Sequence, residues 1–350
     1  MPMRSLIRPI QSAAMSRTMS SHAPGPVLTG THWNYRITDI VPGVNTHSSF
    51  AFKAVVIPHE NTLNTPRWAF IKGASVGDAT AMENLNRECW SYRLPGVASA
   101  ACFRELYDVI ATVGSEMYIA LEWLETTLAQ LKYLPNMRSY AIIKTFLKAA
   151  LSSCVILEIQ KHVNTDYKPA NILLSGIETG LITAKVGDLG LVFPAGHRFE
   201  AQPYAMRAPE VFLGQACTEP SQVWAVAAML LCWIKPGILG AWDSPHFLID
   251  KAWSMAKIKR LFPNWNIPTP DEVEGDSLKV AVRSARRMSQ EEPGLQVIPP
   301  LEEEMRGVEM PQQLRDLLRL ILVVDPSERP SASSVLASKE FRAFETFIGV

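Results

Sequence analysis

The stretch HVNTDYKPANILLSGIETGLITAKVGDLG at residues 162–190 carries the closest grouping of polar residues with recognisable spacing in the chain. Asp166 is followed two residues later by Lys168 and five residues later by Asn171. After an apolar run and a spacer comes a second aspartate, Asp188, in an Asp-Leu-Gly sequence. The apolar runs predict two short strands, and a turn between them would bring these side chains to one point.

This pattern resembles the catalytic and metal-binding loops of the protein kinases, H-R-D-x-x-x-x-N and then D-F-G. The resemblance implies that Asp166 orients a hydroxyl group and accepts its proton, and that Lys168 stabilises charge on the γ-phosphate. It also implies that Asn171 and Asp188 ligate Mg²⁺ against the phosphates of ATP. The form Asp-x-Lys-Pro-x-Asn is typical of kinases directed at Ser and Thr.

Two segments upstream resemble further parts of the kinase nucleotide site. Trp68–Lys72 is similar to the strand whose lysine contacts the α- and β-phosphates, which would be Lys72. A glutamate on the next helix must pair with this lysine; Glu88 is the choice, and Glu83, about one turn earlier, is the alternative. Residues 121–124 resemble the hinge between the lobes, with Leu121 as the gatekeeper. The carbonyl group of Glu122 and the amide of Leu124 would then meet the adenine edge.

A third segment resembles the end of the kinase activation segment. Residues 208–210 read Ala-Pro-Glu, and Arg329 in DPSERP matches the late arginine that pairs with this glutamate. The resemblance implies a buried bidentate ion pair between Glu210 and Arg329. Between Gly190 and Ala208 there is no Ser or Thr. We therefore expect any activity to be independent of phosphorylation of this loop.

The chain departs from the kinase pattern at several positions. The phosphate-covering loop, which should read G-x-G-x-x-G, retains only Gly43 between the first two long strands. The His-Arg before the catalytic aspartate is Asn164-Thr165, and the Phe of D-F-G is Leu189. The aspartate that begins the buried helix and braces the catalytic loop is replaced by Gln222, whose amide has different donors.

The order of predicted elements gives an α+β, bilobal, protein-kinase-like fold, with a small antiparallel β lobe carrying one helix and a large, mainly α-helical lobe. The resemblance covers about residues 33–345, divided into an N-lobe at 33–124 and a C-lobe at 125–345. The polar, charged segment 266–310 is interpreted as a surface insertion. Strands are predicted at 35–41, 50–57, 67–73, 107–113 and 117–124, and helices at 79–94, 137–158, 223–234, 312–324 and 332–336.

Bulk properties restrict the partners and the compartment. The 350 residues are 47% hydrophobic and carry a formal net charge of zero, so neither nucleic acid nor a membrane surface is indicated. The apolar run 223–234 is too short to cross a bilayer. The five cysteines are scattered and odd in number, which argues against a disulfide framework and suits a reducing compartment. We therefore expect an intracellular protein of the cytoplasm or nucleus. We expect a monomer that acts on a protein substrate.

The first 38 residues contain no Asp or Glu and include Arg4, Arg8 and Arg17 among many Ser and Met. Such a composition is typical of mitochondrial targeting segments, but also of disordered tails. Both interpretations stay open, and in either case about residues 1–30 are excluded from the predicted fold.

Three functions fit the sequence. The first is ATP- and magnesium-dependent transfer of the γ-phosphate to Ser or Thr hydroxyls of proteins. The second is a pseudokinase that uses the fold as a nucleotide-binding or protein-interaction scaffold, which the altered loop and Gln222 favour. The third is a small-molecule phosphotransferase, which the Glu210 and Arg329 motifs disfavour. Within the kinases, segments 164–174 and 202–211 resemble SR-protein-kinase-related and fungal protein-kinase-like sequences.

Overall fold

The computed structural model describes residues 25–42, 50–59, 65–75, 77–111, 116–196 and 202–349. The loop around Gly43 and the tail up to residue 24 lie outside these described residues. No helix among the described residues is long and apolar enough to span a membrane.

The first lobe is built on an antiparallel sheet of six strands. The strands are β1 (Val27–Thr29), β2 (Trp33–Ile40), β3 (Phe50–Pro58), β4 (Trp68–Ala74), β5 (Leu106–Ala111) and β6 (Met117–Glu122). Their order across the sheet is β1-β2-β3-β4-β6-β5. Side chains alternate between the two faces of a strand, so Tyr35 and Ile37 on β2 join Ala54 and Val56 on β3 in one buried cluster. The opposite face of the sheet is left for a helix.

Helix α1 (Ala79–Tyr92) covers that second face. It begins at Asp78, whose side chain accepts a hydrogen bond from the backbone N–H of Ala81 at 2.9 Å. Leu85 and Cys89 lie on the buried side of the helix, one turn apart, together with Glu88. The packing of these apolar neighbours therefore directs a carboxylate towards the sheet.

The second lobe is mainly helical. A short helix, α2 (Pro95–Ala98), lies between α1 and β5. The helices of the second lobe are α3 (Met137–Ile159), α4 (Pro209–Phe212), α5 (Glu219–Ile234), α6 (Asp250–Leu261), α7 (Asp276–Glu291), α8 (Pro293–Gln296), α9 (Leu301–Arg306), α10 (Gln312–Ile321), α11 (Ala332–Leu336) and α12 (Lys339–Gly349). Helix α5 is almost wholly buried, as its continuous apolar sequence requires. The predicted α+β bilobal fold is confirmed.

Five short strands of the second lobe flank the polar residues 166–171 and 188 in sequence. They are β7 (Thr126–Thr127), β8 (His162–Asn164), β9 (Ile172–Ser175), β10 (Thr183–Val186) and β11 (Val192–Pro194). Strands β10, β9 and β7 form one small sheet, and β8 pairs with β11.

The segment 266–310, interpreted from its sequence as a surface insertion, is largely helical. It contains α7, α8 and α9, and α7 packs against α6. The exposed residues of α7 are mostly polar, whereas Ala281, Val282 and Ala285 on its other side are buried. An apolar stripe at helical spacing is enough to attach a polar segment to the core.

The sequence interpretation excluded about residues 1–30 from the fold, and this is wrong at its C-terminal end. Residues 27–29 form β1, which pairs antiparallel with β2 so that Val27 lies opposite Arg36. A three-residue edge strand is held by backbone hydrogen bonds, which leave no apolar alternation in the sequence.

Asp108 on β5 fixes the turn between β1 and β2. Its carboxylate accepts hydrogen bonds from the backbone N–H groups of Thr31 and His32, at 3.0 and 3.1 Å, and from the hydroxyl of Tyr35 at 2.5 Å. A Cβ atom at Gly30 would lie 2.5 Å from Asp108 Oδ2, so only glycine fits beside the carboxylate.

Asp108→Ala is expected to lower the free energy of unfolding by about 1–3 kcal/mol, because the buried hydroxyl of Tyr35 loses its acceptor. Urea unfolding checks this, with Asp39→Ala, at an exposed position of β2, as the control.

Burial alone would raise the pKa of Asp108, but hydrogen bonds from Tyr35 and His32 hold it below its ordinary value. A carboxyl group with a lowered folded-state pKa stabilises above its unfolded-state pKa, so the difference should persist down to about pH 4 and shrink in stronger acid. Equal stability of the two variants would contradict this assignment.

Candidate active site

A cleft of about 380 Å³ lies between the lobes, and most of the residues singled out from the sequence line it. Strand register explains how the second lobe contributes. Because β9 and β10 pair with Ile172 opposite Val186, Asn171 just before β9 and Asp188 just after β10 reach the same edge. The backbone N–H of Gly187 donates to the carbonyl of Asn171 at 2.9 Å, which closes this edge.

Lys72 on β4 contacts two carboxylates across the cleft. Its Nζ lies 2.6 Å from Glu88 Oε2 and 3.1 Å from Asp188 Oδ1. Burial alone would lower the pKa of Lys72, but Glu88 and Asp188 raise it above its ordinary value, so the ammonium group stays charged. The alternative partner, Glu83, is exposed and instead pairs with Arg87 one turn along α1. The geometry thus brings Lys72 to Glu88 and not to Glu83.

Asp166, Lys168 and Asn171 form a second group, of which Lys168 and Asn171 line the cleft. Lys168 Nζ lies 2.7 Å from Asp166 Oδ2, and Asn171 Nδ2 donates to the same oxygen at 2.9 Å and to the Asp166 carbonyl. Burial raises the pKa of Asp166 above its ordinary value, although Lys168 and Asn171 oppose the shift. A partly buried carboxylate with a raised pKa is suited to accepting a proton from a hydroxyl group.

Asp188 adopts an unusual backbone conformation. Its φ of 53° and ψ of 74° place it in the left-handed region, which costs a non-glycine residue about 1–2 kcal/mol. Burial alone would raise its pKa, but Lys72 and Lys168 hold the pKa below its ordinary value. Strained, charged residues of this kind are concentrated at functional sites.

Arg87 on α1, which sequence reasoning missed, attaches the helix to the segment after Asp188. Its Nη1 donates to the carbonyl of Gly190 at 3.0 Å, and its guanidinium group lies 4.5 Å from the ring centroid of Phe193. Its sequence position gave no signal beyond a spacing of four residues from Glu83.

Glu210 and Arg329 form a bidentate ion pair below the activation segment. Arg329 Nη1 lies 2.8 Å from Glu210 Oε1, Nη2 lies 3.1 Å from Oε2, and the two side chains are 0% and 4% exposed. Arg329 also donates to the carbonyls of Val323, Pro220 and Val324, and Ser221 donates to Glu210. The remaining polar atoms of this buried pair are therefore satisfied, as its stability requires.

The donor set suits Mg²⁺ bound together with phosphate. Asn171 uses its Nδ2 towards Asp166, which leaves its side-chain oxygen for a cation, and Asp188 has a second oxygen beyond the one near Lys72. Magnesium prefers oxygen ligands and typically takes one or two protein side chains besides phosphate and water. A cage of three or more His, Cys, Asp or Glu does not occur among the described residues.

Comparison with known proteins decides the family. A model of the protein kinase domain matches residues 98–341, well over half of the chain. The chain belongs to the protein kinase family. The match includes the Asp166 group, Asp188 and Glu210, whereas Lys72 and Glu88 lie before it.

Two curated kinases are similar to part of this kinase. Stress-activated protein kinase JNK of Drosophila melanogaster is 28% identical over 185 residues, 50% of this chain and 46% of the relative. Probable cyclin-dependent kinase 8 of Dictyostelium discoideum is 26% identical over 214 residues, 58% of this chain and 54% of the relative. The chain thus spans about half the length of the curated relatives it matches. Neither name is that of an SR-protein kinase, so the finer likeness to SR-protein-kinase-related and fungal sequences stays a prediction.

The hinge of this kinase differs from the sequence expectation at Glu122. Its carbonyl group, expected to meet adenine, accepts a hydrogen bond from Arg104 Nε at 2.6 Å. The Glu122 carboxylate pairs with Lys185 Nζ at 2.7 Å, while Leu124 lines the cleft. Arg104 was missed because a single arginine ahead of a strand carries no periodic signal.

Phe70 was also missed, although the sequence contained the signal. It lies two residues before Lys72 on β4, and residues two apart on a strand point to the same face. Phe70 therefore enters the cleft beside Lys72, and the guanidinium group of Arg104 lies 4.1 Å from its ring centroid. Both side chains are 8% exposed.

Gln222 braces the catalytic loop of this kinase in place of an aspartate. Its Oε1 accepts the backbone N–H of Asn164 at 2.8 Å, and Asn164 Oδ1 accepts the backbone N–H of Asp166 at 2.9 Å. In the described part of the chain, the buried Gln222 Nε2 and Asn164 Nδ2 have no hydrogen-bond acceptor. The amide therefore accepts as an aspartate would but leaves a donor unsatisfied.

Proposed function

We propose that this protein transfers the γ-phosphoryl group of ATP, with Mg²⁺, to Ser or Thr hydroxyls of a protein substrate. The observation that carries the proposal is the meeting of two separate charged groups at one cleft: Lys72 with Glu88 and Asp188, and Asp166 with Lys168 and Asn171. Phosphoryl transfer depends mostly on positioning and electrostatic stabilisation, and these side chains supply both.

A residue of the candidate site can be assigned to each part of the proposed reaction. Lys72 and Lys168 offer two ammonium groups to phosphate oxygens, and the metal would be held by Asn171 and Asp188. Asp166 would accept the proton of the attacking hydroxyl, since its carboxylate is fixed by two hydrogen bonds and burial raises its pKa above the ordinary value. Mg²⁺, when bound, neutralises charge that develops on the phosphates.

A protein substrate is favoured over a small molecule by the Glu210–Arg329 pair. This pair holds the segment from residue 202 to the start of α5 against the second lobe. Arg207 and Gln202 add hydrogen bonds within it, including one from the Ala208 N–H to Gln202 Oε1 at 2.9 Å. A segment held in one conformation suits the binding of an extended peptide.

A pseudokinase is the second candidate, and the observation that favours it is Arg104 at the hinge. A carbonyl group already bonded to Arg104 offers less to a nucleotide base. The monomeric state and the proposed lobe boundaries, 33–124 and 125–345, belong to both candidates.

Asp188→Asn is expected to abolish the magnesium-dependent part of ATP binding, because the amide cannot compensate the metal charge. Thermal unfolding with ATP, with and without Mg²⁺, measures this. Ligand at about 100 times its dissociation constant stabilises a protein by roughly 2.7 kcal/mol, an effect that is easily seen.

Asp276→Asn, on the exposed first turn of α7, is the matched control and should keep the full shift. Transfer from ATP to a library of Ser/Thr peptides tests the reaction itself. A wild-type protein that binds ATP and Mg²⁺ but phosphorylates no peptide would favour the pseudokinase. The same magnesium-dependent shift in wild type and Asp188→Asn would remove Asp188 from the metal site.

A further inference from the structure

Two of the side chains that line the cleft, Phe70 and Arg104, are in contact with each other. Phe70 projects from β4 on the same face as Lys72, and Arg104 approaches from the segment before β5. The guanidinium group of Arg104 lies 4.1 Å from the centroid of the Phe70 ring, which is van der Waals contact. A planar base that stacked on this ring would need the space that the guanidinium group already occupies.

Arg104 also holds the acceptor that an adenine amine would need. Its Nε lies 2.6 Å from the carbonyl oxygen of Glu122, and the side chain is only 8% exposed. The negative charges of Glu88, Glu122 and Asp188 favour the charged guanidinium group in this position. Displacing it would leave a buried charge without its partners, which is costly.

We propose that Arg104 and Phe70 close the adenine subsite, so that this protein selects a nucleotide by its triphosphate and metal and hardly by its base. The inference rests on the proposed function only for the use of a nucleotide; the closure of the base end stands on the contacts of Arg104 alone. Lys72, Lys168, Asn171 and Asp188 also line the cleft, and these are the groups that would hold the phosphates and the metal.

The experiment compares ATP, GTP and adenosine by calorimetry, with Mg²⁺, on wild type, Arg104→Val and Phe70→Ala/Arg104→Val. Wild type should bind ATP and GTP with dissociation constants within about threefold of each other and should not bind adenosine. The double variant should bind ATP about tenfold or more tightly than GTP, and should gain adenosine binding, because the Glu122 carbonyl and the space above Phe70 are released.

Arg93→Val is the control, since Arg93 is exposed just after α1 and does not line the cleft. Thermal unfolding of every variant shows whether it is folded, and Arg104→Val alone replaces the double variant if truncation of Phe70 unfolds the lobe. A wild-type preference for ATP over GTP of tenfold or more, or variants that gain no adenosine binding, would overturn the proposal.

Failure of the proposed function has a different signature. If wild type bound no triphosphate at all, the phosphotransfer proposal would fail, whereas adenosine binding gained by the double variant would still support closure of the subsite. If neither protein bound any of the three ligands, closure by Arg104 would be overturned as well, because its removal would have opened nothing.

Discussion

Asp166→Asn is expected to lower the rate of phosphoryl transfer by about a hundredfold to ten-thousandfold, the range for removal of a general base. The amide has nearly the same shape and still sits beside Lys168 and Asn171, but it cannot accept the proton of the hydroxyl group. The affinity for ATP and Mg²⁺ should stay unchanged, because Asp166 is not placed to ligate the metal. Transfer to a peptide library and a separate binding titration measure the two quantities.

The pH profile adds a second test of the same residue. Burial raises the pKa of Asp166 above the ordinary aspartate value of 3.8. As the pH is lowered, Asp166 should therefore be protonated, and the wild-type rate should fall, at a higher pH than for an ordinary aspartate. Asp271→Asn, on an exposed turn, should leave rate and profile as in wild type. Equal rates for wild type and Asp166→Asn would remove Asp166 from the chemistry.

Glu210→Gln is expected to destabilise the protein by about 3–5 kcal/mol, the usual cost of removing one partner of a buried ion pair. Arg329 is 0% exposed and would keep its charge without the two carboxylate contacts at 2.8 and 3.1 Å. Denaturant unfolding measures the loss, and the midpoint should fall without a change in slope.

The chain contains a matched control for this prediction. Arg319 and Glu302 also form a bidentate pair, with Nε–Oε1 and Nη2–Oε2 distances of 2.8 and 2.7 Å, but their side chains are 41% and 50% exposed. Solvent screens such a pair, so Glu302→Gln should cost no more than about 1 kcal/mol. Equal losses in the two variants would show that burial is not what makes the Glu210–Arg329 pair strong.

The fold could be predicted from the sequence because its signals were redundant. The runs of β-branched and aromatic residues in β2 and β3, the apolar stripe of α1 and the continuous apolar run of α5 each identified an element independently. Edge strand β1 could not be predicted, because its position depends on backbone pairing and on Asp108, a residue far away in the chain.

The residues of the candidate site could be predicted where the reaction requires a fixed sequence spacing between them. They could not be predicted where the packing of distant side chains determines their contacts. Asp166, Asn171 and Asp188 follow a pattern set by the chemistry. In the structure Asn171 and Asp188 line one cleft, and Asn171 donates a hydrogen bond to Asp166. The choice of Glu88 over Glu83 depended on which face of α1 is buried, and the spacing of Leu85 and Cys89 contained that information. The contact between Arg104 and Glu122 joins a residue just before β5 to the last residue of β6. No local sequence pattern predicts such a contact.

Arg87 couples the position of helix α1 to that of the segment after Asp188. The helix cannot rotate away from the cleft without losing the hydrogen bond to Gly190 together with the Lys72–Glu88 contact. The two elements therefore form one cooperative unit, whose amides should exchange with solvent through a single opening event. Under the proposed function, only molecules in which this unit is closed would hold phosphate, so an effector that tightens the helix would raise the active population and leave the chemistry of each molecule unaltered.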